Sequence, residues 1–173
     1  MRPGVVGRLV VFVYVGAVLF SVPAAATALV LARRMGVRRA TGVVSLVLAA
    51  VVAMTALTVA VRGGTDTATW FAAVGFAAFG LLWALPVRAG AVVVQRTTGL
   101  LGDAALGYAV AGLPVGMLGS VAWFYAAGEP LRFDPASLSG LVAWLALGGS
   151  LLTVLAGPGL AGTAFHRLVR RRR

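Results

Sequence analysis

Five charge-free stretches set the pattern of this chain: Leu9 to Ala32, Ala40 to Val61, Thr67 to Val87, Ala104 to Gly128 and Leu138 to Leu160. Between them lie short segments carrying arginine, glycine or proline. At about 1.5 Å of rise per residue, each stretch is long enough as a helix to cross a hydrocarbon core of about 30 Å. Ala40 to Val61 is dense in valine, which favours strand in water. A run of 22 residues without charge argues for helix in lipid, where each backbone group must find its partner within the segment. The pattern predicts an all-α bundle of five transmembrane helices, filling residues 1–173 as one integral membrane domain.

The segment boundaries follow from local chemistry. Arg33, Arg34, Arg38 and Arg39 form a tight basic loop after the first span, and Arg62-Gly-Gly-Thr-Asp66 reads as a short flexible turn. Pro23 is expected to bend the first span, because proline removes a backbone donor and crowds the preceding turn. The third span closes near Pro86 and Arg88, although Ala89 to Val94 is apolar again and either extends the helix or lies along the interface. Glu129 to Pro135 is a turn fixed by two prolines, with Ser137 or Ser139 placed to cap the fifth helix. That helix is expected to loosen at Gly157-Pro-Gly159 and to give way to His166 and the arginine tail.

Composition strengthens the membrane reading. Hydrophobic residues make up 61% of the chain and charged residues 11%, far more apolar surface than a soluble core of this size could hide. The net charge of +11 comes from fifteen arginines against four acids. In a soluble protein that excess would suggest nucleic acid; here the arginines cluster between apolar runs, which fits orientation signals and anionic lipid headgroups, so no nucleic-acid partner is expected. Cysteine is absent, which excludes disulfides, thiolate metal sites and thiol nucleophiles.

Orientation follows from the arginine count. With five spans, the 33–39 loop, the 88–96 connection and the C-terminal tail share one side and carry 4, 2 and 5 arginines, against 4 on the other side. The positive-inside rule places the N-terminus outside and the C-terminus in the cytoplasm of a cell membrane. Pro23 to Ala28 resembles a signal-peptide cleavage site, but cleavage there would leave four spans and turn the basic side outward, so an uncleaved first span is expected. Phe12, Tyr14, Trp70, Phe71, Trp123, Phe124 and Tyr125 fall at predicted outer ends, as an interfacial aromatic belt would. Trp83 falls towards an inner end, and Trp144, deeper, is expected to pack inside.

Candidate chemistry is sparse. Gly112 and Gly116 have GxxxG spacing with Gly119 one turn on, and Gly149, Thr153 and Gly157 form a similar stripe on the fifth span. Such faces let backbones approach closely, predicting mutual packing of these two helices or a contact between copies. Chance spacing among 23 glycines is the plain alternative. Pro114 should free a carbonyl a turn earlier, which in broken transporter helices faces an ion or substrate; the plainer alternative is a kink whose freed group is met by its neighbours. Asp103 would be the ion site of such a transporter, or simply a helix cap at the cytoplasmic end. His166 stands alone, which gives little ground for metal or acid-base work.

No HExxH, GxxxxGK[ST], GxGxxG or GxSxG signature is expected to carry chemistry, and no cofactor is expected. The expected function is a non-catalytic accessory or scaffold subunit, assembling with itself or with another membrane protein through small-residue faces. The alternative is a small oligomeric transporter or channel built around Pro114 and Asp103.

Overall fold

A computed structural model describes residues 3–131 and 140–172. The expected caps Ser137 and Ser139, the turn from Arg132 to Pro135 and the start of the fifth span lie outside the described residues, as do the side chains of Phe12 and Tyr14. The described chain is helical almost throughout: α1 (Pro3–Met35), α2 (Val37–Gly63), α3 (Thr65–Phe79), a π-helical turn (Gly80–Ala84), α4 (Leu85–Thr98), α5 (Gly102–Leu131) and α6 (Gly140–Arg171). Among the described residues, five helices are long and apolar enough to cross a membrane, with α3, the π turn and α4 joined into one. The chain is a multi-pass, all-α membrane bundle.

The turns are tighter than the sequence suggests. Single glycines join α1 to α2 and α2 to α3: Gly36 at φ 83° and ψ 154°, and Gly64 at φ 87° and ψ 164°. That backbone region is nearly closed to residues with a Cβ, so one glycine does the work expected of a basic loop or a Gly-Gly turn.

The third span corrects the sequence reading in a second way. Residues 88–96 are not a connection between spans but part of α4, which runs on to Thr98, leaving only 99–101 as the turn. Pro86 explains the irregularity upstream. Lacking an N–H, it cannot donate to the Leu82 carbonyl, and the helix widens over Gly80–Ala84, where the Leu85 N–H reaches back to the Gly80 carbonyl. The rotation turns Leu82 and Trp83 into the core. It also gives α4 an outward stripe of Leu85, Arg88, Val92 and Arg96, all exposed, opposite buried Pro86, Val87, Gly90, Ala91 and Val94. Arg88 is exposed about 15 Å before the helix end, inside the third span.

In lipid there is little hydrophobic drive between helices, so close packing and interhelical hydrogen bonds must hold the bundle. The most extensive contacts are between α5 and α6, then between α4 and α6, making α4, α5 and α6 a tight triad. α1 bridges this triad to the α2–α3 pair through contacts with α2 and α5. The core lies where these meet, with Ala25 and Ala28 from α1, Val44 from α2, Trp83 from the π turn, Val87 from α4, Leu113 and Met117 from α5, and Val154 from α6. The Trp83 indole N–H donates to Ser45 Oγ of α2 at 2.9 Å, tying the π turn across the core.

The aromatic positions divide. Trp70, Phe71, Trp123 and Tyr125 are exposed on the outside of the bundle. Phe124 is buried at 4% instead, its ring meeting Tyr125 edge-on. Trp144, expected inside, is 62% exposed. Both corrections have one cause: apolar composition shows that a residue avoids water but not whether it faces lipid or protein.

Candidate functional site

A glycine-proline node brings helix backbones together in the α4–α5–α6 triad. A Cβ built on Gly112 of α5 would collide with the Pro158 carbonyl oxygen and stand 2.7 Å from the Gly162 nitrogen. One built on Gly116 would stand 2.5 Å from the Pro158 nitrogen and ring, and 2.8 Å from the Gly157 carbonyl carbon. From the other side, a Cβ on Gly157 would stand 2.8 Å from the Gly116 Cα, and one on Gly159 would stand 2.8 Å from the Gly90 carbonyl of α4. Three backbones therefore touch where only hydrogens fit between them.

This changes the reading of Gly157-Pro-Gly159. α6 does not loosen there or end near Leu160; it continues to Arg171 with Pro158 inside it. Pro158 is buried to under 2% exposure, its ring against Gly116 and Gly90. Proline normally disrupts a helix interior by losing one ladder bond and crowding the preceding turn. Here the flanking glycines let α5 and α4 close around it, so the distortion is held on both sides. Residues 157–162, GPGLAG, also spell G-x-G-x-x-G, the dinucleotide-binding spacing. That fingerprint needs a strand-to-helix turn, and this segment lies within one helix, where its glycines serve contact between helices.

Other predicted residues fall differently. Gly119 is exposed, with Thr153 3.8 Å from the position of its missing Cβ. Gly149 meets not Gly112 but the indole of Trp123, and the Thr153 hydroxyl donates to the Gly149 carbonyl at 2.9 Å. A polar link sits beside the node: Ser150 Oγ donates to the Ser120 carbonyl at 3.2 Å, both residues fully buried. Most other hydroxyls in the spans, including Ser21, Thr55 and Thr58, bond back to their own helix.

Asp103 and Pro114 are not brought together. Eleven residues separate them on α5, about 16 Å along the axis. Asp103 sits inside the first turn of α5, which starts at Gly102, rather than ahead of it as a cap. Its carboxylate lies 3.9 Å from the place of a Cβ on Gly36, so the start of α5 abuts the α1–α2 turn. The acid favours the positive end of the helix dipole there. Pro114 is half-buried, between fully buried Leu113 and Met117.

Two features escaped the sequence. A mainly apolar cleft of about 240 Å³ lies among α1, α2 and α3, lined by Phe20, Ser21, Leu48, Val52, Phe79 and Trp83 among others. At the basic end, Thr97 Oγ1 of α4 and Thr163 Oγ1 of α6 are 2.8 Å apart, and His166 stacks edge-on against Tyr108 at 5.1 Å. Neither threonine has a motif around it; only the helix pairing brings them together. No family model, curated protein or solved structure matches this chain.

Proposed function

We propose that this chain is a non-catalytic integral protein of the cell membrane, an accessory or scaffold subunit that joins a second copy of itself or another membrane protein through the open face of α2. The observation that carries this reading is how little of α2 the protomer covers. Of its span Val37–Arg62, only Ala40, Thr41, Val44 and Ala56 are buried, a smaller share than in any of the other four spans. Along its outer face run Val43, Val47, Ala50, Met54, Leu57 and Val61, every one of them exposed. Their spacing alternates four and three residues, the seam that meets a partner helix as knobs into holes. The small-residue faces of α5 and α6 are already engaged within the protomer, which moves the assembly surface away from Gly112 and Gly116.

Extraction of the tagged protein from its native membrane in mild detergent, with mass analysis of what stays bound, tests the reading. A stoichiometric membrane partner or a homogeneous homo-oligomer is expected. A lone monomer that conducts ions or solute in liposomes would favour a transporter built on α5.

In this reading the N-terminus lies outside and the C-terminus in the cytoplasm. Supporting this, Gly36 lies by Asp103 and Thr97 by Thr163, which gathers the α1–α2 turn, the α4–α5 turn and the end of α6 at one end of the bundle. That end carries Arg33, Arg34, Arg38, Arg39, Arg96, Arg167 and the arginine tail. Because the chain has no cysteine, single cysteines report topology cleanly. Thr65→Cys should label with an impermeant maleimide from outside, whereas Met35→Cys and Leu101→Cys should label only after permeabilisation. Outside labelling at Met35 would invert the orientation.

A further inference from the structure

We propose that the basic end of the groove between α4 and α6 is a binding site for one anionic glycerophospholipid, its headgroup phosphate held by Arg167 and Arg171. A cavity of about 410 Å³ opens there, lined by Thr97, Leu160, Thr163, Ala164, Arg167 and Arg171 among others. Its composition is graded along α6. Leu160 and Ala164 are exposed and apolar, and Arg167 and Arg171 follow one and two turns later. Leu160 to Arg171 spans about 16 Å of helix, enough to lay the upper part of an acyl chain below a headgroup. The floor is fixed by the Thr97–Thr163 hydroxyl contact, whose protons are also offered to the Val93 and Gly159 carbonyls at 2.8 Å. With those protons engaged in the protein, the guanidinium groups are the donors left for a ligand.

Charge selects the ligand class. Among the described residues neither Arg167 nor Arg171 has a carboxylate partner, and a second cavity, lined by Arg167, Arg170 and Arg171, adjoins the first. Guanidinium groups one turn apart suit a phosphodiester, which accepts paired N–H bonds. A site with three cations and no acid favours a lipid without an ammonium group. The apolar lower half separates a lipid from free phosphate, which would have no use for Leu160 and Ala164. The site stands apart from the α2 face, so it does not depend on what assembles there.

Native mass spectrometry of the full chain, released from detergent micelles doped with phosphatidylglycerol or phosphatidylcholine, tests this. One phosphatidylglycerol per chain should survive, with phosphatidylcholine stripped at the same collision energy. Losing two charge-assisted contacts in the double variant Arg167→Gln/Arg171→Gln should weaken retention by about tenfold to a hundredfold. The control Arg33→Gln/Arg34→Gln, which removes the same charge from the same end, should leave retention within about twofold, as screened surface charges would. Ala164→Phe fills the groove without touching charge and should also lose the lipid. Equal loss in the control, equal retention of phosphatidylcholine, or displacement of the lipid by millimolar inorganic phosphate would each overturn the site.

Discussion

Gly116→Leu and Gly112→Leu are each expected to dismantle the folded protomer, not merely its assembly. Overpacking a core usually costs about 1–3 kcal/mol because side chains can rotate away. At these positions the obstacle is backbone: the Pro158 nitrogen 2.5 Å from a Cβ on Gly116, and the Pro158 carbonyl in the path of one on Gly112. The helices would have to separate, which also exposes buried Leu113, Met117 and Val154 and parts Ser150 from Ser120. A loss of about 3 kcal/mol or more is expected, a large share of the roughly 5–15 kcal/mol that holds most proteins folded. Even Gly116→Ala should be strongly destabilising. Gly148→Ala, where nothing lies within 4 Å, should be neutral or stabilising by about 0.5–1 kcal/mol through helix propensity. Unfolding in sodium dodecyl sulfate, followed by circular dichroism, measures the series. Equal stability at Gly116 and Gly148 would mean that α5 and α6 do not meet here.

Trp83→Ala is expected to cost about 3–5 kcal/mol, the usual range for truncating a buried tryptophan. The indole is 4% exposed and fills the space behind the π turn. Its removal would join that space to the 240 Å³ cleft, which Trp83 already lines. The hydrogen bond to Ser45 is a smaller part of the loss, since interhelical bonds in membranes average about 0.6 kcal/mol. Trp83→Phe should therefore lose far less than Trp83→Ala, and Ser45→Ala about as little as Trp83→Phe. A double-mutant cycle over Trp83→Phe and Ser45→Ala isolates the bond. Coupling near zero would place the indole N–H elsewhere.

Much of the fold is written in where charge is missing. The charge-free runs predict five spans, and the described helices give five, because in lipid an apolar run of that length has no workable backbone other than helix. What composition hides is rotation about each helix axis. Phe124 and Trp144 look alike in sequence, yet one is buried and the other exposed. Periodicity separates buried from exposed faces only where the outside is water. α4, with Arg88 and Arg96 on one stripe, is the exception, and its sequence could have revealed it as a continuing amphipathic helix.

Proline and glycine mislead in a related way. Gly157-Pro-Gly159 reads as a weak point by propensity, but the same lack of side chains lets α4 and α5 close around Pro158. The spacing of Gly112 and Gly116 was legible as a packing face. Their partners on α6 were not, because the predicted stripe Gly149, Thr153 and Gly157 shares only Gly157 with the observed contact at Gly157, Pro158 and Gly162. The Thr97–Thr163 contact links residues 66 apart in sequence and follows only from the tertiary arrangement.

The central claim, that α2 presents the surface on which this protein assembles, is tested most directly by disulfide and photo-crosslinking in native membranes. Single cysteines at Val47, Ala50, Met54 and Leu57 would be compared with cysteines at Leu118 and Leu152, exposed positions on α5 and α6. The account predicts adducts, to a second copy or to one defined partner, at the α2 positions and none at Leu118 or Leu152. Adducts confined to Leu118 and Leu152, or none at any α2 position while the complex stays intact, would contradict it.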